Sequence, residues 1–303
     1  MTVSRALASS VWFALAAALA PAAARAEAVV FQHEGTIYSD AKEGPLSAPE
    51  GVACNDSGYA AVADTGNHRL LIYGLKEGRF TGGTELKLVQ LPSPWRAQVD
   101  AKGELFVLDG KTRKIVRVGA NGIYAGTIEP KGIADAGRVV AGSFKLTPGG
   151  DLYVLDVAGK RVMILAADGT VSGQVPLPAE AVLVTDVAVD LAGTIYAIDA
   201  AAGAIWTAEK GAPAFKLLVK GLGDRMSFPT YLLPRKGKIF VVDQNGSGIV
   251  ILGVDGSYQG RQLSIGWSEG LVNYPAQLCM TDTGLAFVAD RFNNRVQVFT
   301  VSN

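Results

Sequence analysis

Six aspartates recur along the chain at nearly equal intervals, each two positions after an alanine or a valine. They are Asp64, Asp109, Asp156, Asp199, Asp243 and Asp290, and successive members are 45, 47, 43, 44 and 47 residues apart. A ring of carboxylates could bind a cation. The alternative is that each aspartate caps a hairpin turn and pairs with a basic residue five positions later. We favour this structural role, because four units carry such a residue: Arg69, Lys114, Arg161 and Arg295.

Two of the six units lack the basic residue. Ala204 and Gly248 stand in its place, so we expect the aspartates of units four and five to have no partner. The fifth unit also resembles the first half of a calcium loop, with Asp243, Asn245 and Ser247 as candidate ligands. The acidic residue that completes such a loop at its twelfth position is missing, so a glycine-rich hairpin is the simpler interpretation. We therefore expect no metal and no cofactor.

The elements that position these aspartates are short strands. A period of about 45 residues fits four strands per unit, as in a propeller blade. In unit one the predicted strands are Val52–Asn55, Tyr59–Ala63, Arg69–Tyr73 and Glu85–Leu91, and Arg96–Asp100 starts unit two. The last unit ends without a fourth strand, whereas an extra strand, Ala28–Gln32, precedes unit one. We expect this N-terminal strand to complete the last blade and close the ring.

Units one and six carry the most regular repeats. Pro49–Tyr73 reads PEGVACNDSGYAAVADTGNHRLLIY, and Pro275–Phe299 reads PAQLCMTDTGLAFVADRFNNRVQVF. Both are similar to the NHL repeat family, whose consensus has P-x-G-V-A, Y-V-A-D and N-R-I-Q-V-F elements. Units two and three keep only the Val-Leu-Asp core, and units four and five are degenerate. The resemblance covers nearly all of the chain after residue 26, and it implies an all-β, six-bladed β-propeller.

The residues that open the first strand of each unit are expected to surround the mouth of the central channel. They are Glu50, Trp95, Arg96, Ser143, Asp186, Thr230, Tyr231 and Gln277. A purely structural position should look alike from blade to blade, whereas this set mixes aromatic, amide and charged side chains. Trp, Tyr and Arg are also common in binding hot spots. The alternative is that Trp95 and Tyr231 only pack between blades. We interpret the set as a recognition face for a protein or peptide partner.

Catalytic sites are poorly supported by the sequence. The chain has only two histidines, His33 and His68, whereas a catalytic zinc usually has three protein ligands. The same shortage argues against the propeller-shaped peptide-amidating lyases. Gluconolactonase-like propellers, which hold a divalent metal at the channel mouth, supply the alternative function, a metal-dependent lactonase or esterase. Glu50 and Asp186 stand where such ligands could lie. We expect a non-catalytic scaffold.

Residues 1–26 have the pattern of a signal peptide. Arg5 precedes an apolar stretch, Pro21 interrupts it, and Ala24–Ala26 forms a small-x-small cleavage site. We therefore expect residues 27–303 to form a single domain, periplasmic or secreted, without a membrane span after cleavage. The formal net charge of zero does not indicate a nucleic-acid partner. The expected partner is a protein or peptide of the cell envelope, bound by a monomer.

The two cysteines, Cys54 and Cys279, fall in the first strands of units one and six, which are neighbours in a closed ring. Counted from the repeat aspartate they are one register apart, so they point to opposite faces of their strands. A disulfide across the shared interface is one possibility. However, stacked sheets lie about 10 Å apart, and a disulfide needs Cα atoms within about 7 Å. We expect two small buried thiols instead.

Overall fold

The structure, a computed structural model, describes residues 28–76 and 79–302. These residues form six four-stranded antiparallel sheets, which are the blades of a β-propeller. The prediction of an all-β, six-bladed fold is therefore confirmed. The predicted signal peptide lies outside the described residues. In the part of the chain that the structure describes, no helix is long and apolar enough to cross a membrane.

Each blade runs from an innermost strand at the central channel to an outermost strand at the periphery. The innermost strands are β2 (Gly51–Cys54), β6 (Pro94–Val99), β10 (Ala141–Leu146), β14 (Val184–Val189), β18 (Pro229–Arg235) and β22 (Pro275–Met280). The second strands are β3 (Tyr59–Asp64), β7 (Leu105–Asp109), β11 (Leu152–Asp156), β15 (Ile195–Asp199), β19 (Lys238–Asp243) and β23 (Leu285–Asp290). In every blade, the second strand thus ends at the repeat aspartate.

The outer half of each blade completes the sheet. The third strands are β4 (Arg69–Lys76), β8 (Ile115–Val118), β12 (Arg161–Leu165), β16 (Ala204–Ala208), β20 (Gly248–Gly253) and β24 (Arg295–Ser302). The outermost strands are β5 (Arg79–Leu86), β9 (Tyr124–Ile128), β13 (Val171–Pro176), β17 (Lys216–Val219), β21 (Tyr258–Gln262) and β1 (Val30–Ile37). Short 3-10 helices at Thr65–Asn67, Ala136–Arg138, Leu222–Asp224 and Arg291–Asn293 lie in the connections.

The outer strand of blade one was predicted too late in the sequence. The expected range was Glu85–Leu91, whereas β5 starts at Arg79, close after the end of β4. The two strands pair from Lys76 opposite Arg79 to Leu70 opposite Leu86, with one register shift between Ile72 and Tyr73. A long hairpin therefore forms from a sequence in which glycines interrupt the apolar alternation that indicates a strand.

The N-terminal strand closes the ring as predicted. β1 pairs with β24 from Val30 opposite Ser302 to Ile37 opposite Val296, and it is the outermost strand of blade six. Phe31 packs edge-on against Phe299 of its own blade and Phe240 of blade five, with ring centroids 5.8 and 6.2 Å apart. β1 thus pairs with the edge of the last blade that would otherwise be free.

The hydrophobic core lies mainly between blades. One buried cluster combines Phe240 and Ile251 of blade five with Val288 and Phe299 of blade six, and five other clusters fill the rest of the molecule. The second strands are almost entirely buried, because each is covered by a neighbouring blade on both faces. Their continuous apolar sequences follow from this arrangement.

The repeat aspartates are completely or almost completely buried. Each carboxylate accepts a hydrogen bond from a backbone N–H of the segment that leads into the innermost strand of its own blade. The donors are Ser47, Ser93, Val140, Val182, Ser227 and Asn273. The aspartate therefore joins the end of the second strand to the start of the blade, which explains why it recurs in all six units.

The basic partners of these aspartates follow the prediction only in part. Arg69 Nε lies 2.7 Å from Asp64, and the equivalent distances are 3.0 Å from Arg161 to Asp156 and 2.7 Å from Arg295 to Asp290. Two expectations were wrong. Lys114 turns outward and pairs with Glu129 rather than with Asp109. Asp243 does have a cationic partner, because Arg261 of the outermost strand reaches it at 2.8 Å.

The expectation of free thiols was also wrong. Cys54 and Cys279 form a disulfide, with Cα atoms 5.9 Å apart. The spacing of about 10 Å between stacked sheets does not apply here. Blades converge towards the propeller axis, so the innermost strands β2 and β22 approach much more closely than the outer parts of the two sheets. Opposite-facing side chains of adjacent blades consequently meet at one interface.

Candidate functional site

The residues predicted to surround the channel mouth lie mostly inside the channel. Arg96, Ser143, Asp186, Thr230, Tyr231 and Gln277 are all less than a tenth exposed. They do not form the exposed face that the sequence suggested. The innermost strands converge on the axis, so side chains from different blades meet there and fill the centre. Their part in binding stays a prediction.

Arg96 links three blades across the channel. Its guanidinium donates to the carbonyl oxygens of Ala276 in blade six and, at 3.2 Å, of Thr230 in blade five. The guanidinium carbon also lies 5.1 Å from the ring centre of Trp95 and 5.5 Å from that of Tyr231. Burial lowers the pKa of Arg96, although nearby carboxylates oppose this shift. The Arg96 side chain thus connects blade two to blades five and six at the centre of the channel.

Gln277 makes a second connection across the axis. Its amide Nε2 donates to the carbonyl oxygens of Val52 in blade one, at 2.9 Å, and Ala97 in blade two, at 2.7 Å. Its Oε1 accepts from the Ala97 amide at 3.3 Å. The Tyr231 hydroxyl accepts a hydrogen bond from Gln98 at 3.0 Å and lies 3.4 Å from Gln277 Nε2. These amides hold the phenol in a fixed position.

A buried ion pair completes the network. Asp186 accepts a hydrogen bond from Ser143 and, at 2.6 Å, from the backbone amide of Leu232. Lys145 Nζ lies 3.2 Å from the same carboxylate and 3.1 Å from the ring centre of Tyr231. This contact is an ion pair that does not meet hydrogen-bond geometry. Lys145 Nζ therefore has no hydrogen-bond partner among residues 28–76 and 79–302.

Above this network the channel opens into a funnel of about 760 Å³. The funnel lies where the innermost strands end, at the turns that connect them to the second strands. Its floor is polar, with Gln98, Lys145 and Tyr231, and its walls include Leu146 and Leu233. The Cys54–Cys279 disulfide lies in the wall as well. Of the predicted residues, Tyr231 lines the floor of this recess and Asp186 lies beneath it. The recess is at the opposite end of the channel from the expected face.

The acidic side chains at the funnel rim also stabilise turns. Asp100 Oδ1 accepts from the amides of Lys102 and Glu104, both at 2.8 Å. Asp190 Oδ1 accepts from the amides of Ala192 and Thr194, both at 2.9 Å. These hydrogen bonds close the turns between the first and second strands of blades two and four. The rim is therefore rigidly built.

Lys145 and Gln98 were missed by the sequence prediction. A signal for them was available, because side chains two positions apart in a strand share a face. Lys145 follows Ser143 by two residues, and Gln98 follows Arg96 by two residues. A lysine and a glutamine in the middle of otherwise apolar inner strands would have extended the polar set along the channel.

Glu50 and Trp95 lie at the other end of the channel. Trp95 Nε1 donates to Glu50 Oε2 at 2.7 Å, and Arg291 Nε lies 3.3 Å from Glu50 Oε1. Both carboxylate oxygens are thus engaged. No group of three or more His, Cys, Asp or Glu side chains that could hold a metal occurs within the described ranges. The residues near Glu50 therefore do not fit the divalent metal of the gluconolactonase-like alternative.

The candidate calcium ligands serve the hairpin of blade five. Asp243 accepts hydrogen bonds from the amides of Ser227 and Phe228, at 2.9 and 2.8 Å, besides its ion pair with Arg261. Ser247 Oγ accepts from the Tyr274 amide at 3.2 Å. The oxygens of Asp243 and Ser247 are therefore used within the protein, whereas Asn245 is exposed in the turn.

Comparison with known proteins identifies the fold. No protein-family model matches the sequence, and no curated protein matches it significantly. Among solved structures, a streptogramin B lyase has 12% sequence identity and a TM-score of 0.63, over 90% of this chain and 98% of that chain. Virginiamycin B lyase from Staphylococcus aureus has 13% identity and a TM-score of 0.63, over 90% and 99%.

A third similar structure is a protein of unknown function from Bacteroides thetaiotaomicron. It has 13% identity and a TM-score of 0.64, and the match covers 90% of this chain and 76% of that chain. At such low identity the similarity shows the fold alone. The chain is a six-bladed β-propeller structurally like virginiamycin B lyase.

Proposed function

We propose that this six-bladed propeller is an exported, non-catalytic binding protein of the NHL-repeat type. It recognises a peptide segment of a cell-envelope protein in the funnel at the end of the central channel. The observation that carries the proposal is the funnel floor, where Gln98, Lys145 and Tyr231 come from three different blades and do not repeat. The repeat fold does not require different residues at these positions, so we attribute their diversity to recognition of a ligand.

The location of the site differs from the face suggested by the sequence. The funnel is concave, mostly apolar in its walls and polar at its floor, as ligand sites generally are. Trp95 and Glu50, at the other end, engage each other instead. Two observations support a rigid binding site: the floor is held by hydrogen bonds across blades, and the rim turns are capped by aspartates.

Export is supported by the disulfide between blades one and six. Disulfides persist in oxidising compartments and are rare in the cytosol of most organisms. The resemblance of units one and six to the NHL consensus supports the assignment of the repeat type. For the lactonase alternative we find no favourable observation, because Glu50 is bound to Trp95 and Arg291.

A pair of tryptophan substitutions in blade four tests the proposal. Ala192 is an exposed turn residue that lines the funnel, and Ala202 is an exposed turn residue at the opposite end of the same blade. Each backbone amide donates to a turn aspartate, Asp190 or Asp199, at 2.9 and 3.0 Å. Ala192→Trp should obstruct the funnel, whereas Ala202→Trp should leave it open.

The measurement is retention of envelope proteins on the immobilised chain, residues 27–303, compared among wild type and the two variants. We expect at least one protein to be retained by wild type and by Ala202→Trp but lost with Ala192→Trp. Retention of a protein by wild type is not by itself evidence for the proposal. The test is whether the two variants differ in the proteins they retain. Retention that survives Ala192→Trp and disappears with Ala202→Trp would move the site to the opposite end. If wild type retains nothing, the proposal is wrong.

A further inference from the structure

The floor of the funnel holds a cation with unused hydrogen-bond donors. Lys145 is about one-twentieth exposed, and its Nζ lies between the Asp186 carboxylate and the face of Tyr231. Within the described chain no acceptor has hydrogen-bond geometry to this ammonium group. A buried donor without an acceptor costs free energy, so an incoming acceptor is favoured at this position.

A second donor is available beside it. The Tyr231 hydroxyl accepts an N–H from Gln98 at 3.0 Å. Gln277 Nε2 lies 3.4 Å from the hydroxyl, but its two N–H groups serve the carbonyls of Val52 and Ala97. No hydrogen bond within residues 28–76 and 79–302 uses the phenol's own proton. Lys145 Nζ sits over the ring of the same tyrosine. An acceptor on the funnel floor can therefore receive hydrogen bonds from an ammonium and a phenol together.

Two buried cations lie close to the floor. Arg96 and Lys145 are cations, and Asp186 is the one carboxylate that contacts Lys145 among the described residues. Burial lowers the pKa of Arg96, Asp186 and Glu50 both oppose this effect, and Glu50 lies against Arg291 as well. Asp186 is thus shared between two cations. Buried positive charge is costly unless an anion is near, so an anionic group in the funnel would add to the one carboxylate beside Lys145.

The rim and walls restrict what the rest of the ligand can be. The walls contain Val99, Leu146, Val189 and Leu233, which favour apolar groups. Charged residues at the rim are of both signs: Asp56, Asp100, Asp190, Asp282, Arg235, Lys236 and Lys238. They give no strong overall preference for charge above the floor. Pro148 at the rim follows Lys145 by three residues, of which only Leu146 belongs to β10. The depth is therefore at most roughly 10 Å, the length of an extended tripeptide.

We propose that the funnel binds the C-terminal carboxylate of an apolar peptide segment, with the carboxylate on Lys145 Nζ and the Tyr231 hydroxyl. The inference rests on the proposed function and specifies its ligand. Two or three apolar residues before the terminus fill the walls. A free apolar carboxylic acid presents the same anionic group, so the experiment includes one.

The test compares an N-acetylated apolar tripeptide acid with its C-terminal amide, by calorimetry on the folded chain. Wild type should bind the acid about tenfold or more tightly than the amide, because a hydrogen bond to a charged group is lost. Lys145→Met should remove this preference, so that the acid and the amide bind about equally. Tyr231→Phe, which keeps the ring beneath Lys145, should reduce the preference by a smaller factor. Ala192→Trp should block both peptides.

The outcomes separate the two proposals. Equal binding of acid and amide, still blocked by Ala192→Trp, would overturn the carboxylate site and leave funnel binding intact. Binding that is unaffected by Ala192→Trp would contradict the funnel itself. No binding of either peptide, or an acid preference that survives Lys145→Met, would overturn the inference. If Lys145→Met fails to fold, the inference is tested by the acid–amide comparison on wild type and by its reduction in Tyr231→Phe. Hexanoate binding as tightly as the peptide acid would overturn the peptide assignment.

Discussion

At the scale of single residues, the repeat aspartates and their arginines carry most of the buried charge. Arg69 is the most connected, with Nε 2.7 Å from Asp64 and Nη1 2.6 Å from Asp40 and 2.7 Å from Glu85. Burial alone would lower the pKa of Arg69, but hydrogen bonds to these carboxylates outweigh it and raise the pKa. One arginine thus connects the segment before blade one with its second and outermost strands.

Asp40 should make the stability of this region depend on pH. The amides of Gly44 and Lys42 donate to its carboxylate, and with Arg69 they hold the pKa of Asp40 below its ordinary value of 3.8. Since the pKa is lower in the folded state, the contribution to stability is present above the unfolded value and is lost as pH falls through the folded value. Asp40→Asn should therefore be less stable than wild type at neutral pH, and the difference should shrink between about pH 5 and about pH 3.

Urea midpoints across this pH range provide the measurement. Asp224→Asn, at an exposed residue of the Leu222–Asp224 turn, is the control and should follow wild type throughout. A difference between Asp40→Asn and wild type that stays constant down to about pH 3 would contradict the assigned role of Asp40.

At the scale of elements, β1 has a role out of proportion to its position at the start of the described chain. It supplies the outermost strand of the last blade, and from Val30 to Glu34 exposed side chains alternate with buried or partly buried ones. Phe31 points into the cluster shared by blades five and six, whereas its neighbour Val30 is about half exposed. Ring closure therefore depends on one face of one strand.

Substitution of Phe31 should measure this dependence. Phe31→Ala removes two edge-on aromatic contacts and leaves a cavity, so the free energy of unfolding should fall by about 3–5 kcal/mol. Val30→Ala, one position away on the outer face, should change it by less than about 0.5 kcal/mol. Urea denaturation followed by tryptophan fluorescence reports both. Equal effects of the two substitutions would mean that β1 does not close the ring through its buried face.

At the scale of the whole molecule, the ring is closed twice between its first and last units. The β1–β24 pairing joins the termini of the described chain at the periphery, and the Cys54–Cys279 disulfide joins blades one and six near the axis. The disulfide spans 225 residues of sequence. Cross-links over long loops restrict the unfolded chain most in the chain-entropy description. Gln277 of blade six reinforces the same junction from within the channel, through its hydrogen bond to Val52 of blade one.

Removal of the disulfide should lower stability but keep the fold. The Cys54→Ala, Cys279→Ala double variant should lose about 2–4 kcal/mol of unfolding free energy. Thiol titration of denatured wild type should find no free thiol before reduction and two after it. Reductant should lower the melting temperature of wild type to that of the double variant and leave the variant itself unchanged. Two thiols titrating before reduction would contradict the disulfide.

The sequence by itself determined the architecture of this protein. The spacing of the six aspartates defined six units, and the alternating apolar runs around each one defined strands, because a blade uses the same local pattern each time. The mismatch between an extra first strand and an incomplete last unit was enough to predict ring closure. All of these features depend on neighbouring residues or on spacing along the chain.

Only the tertiary structure decided what meets at the axis. The register of each innermost strand is local, but the distance between Lys145 of blade three, Asp186 of blade four and Tyr231 of blade five depends on how the blades converge. The same convergence brings Cys54 to Cys279, and the return of an outermost strand brings Arg261 to Asp243. The contacts at the axis depend on packing between units, and the Arg261–Asp243 contact depends on strand pairing within blade five. The funnel and its polar floor were therefore visible only once the ring had closed.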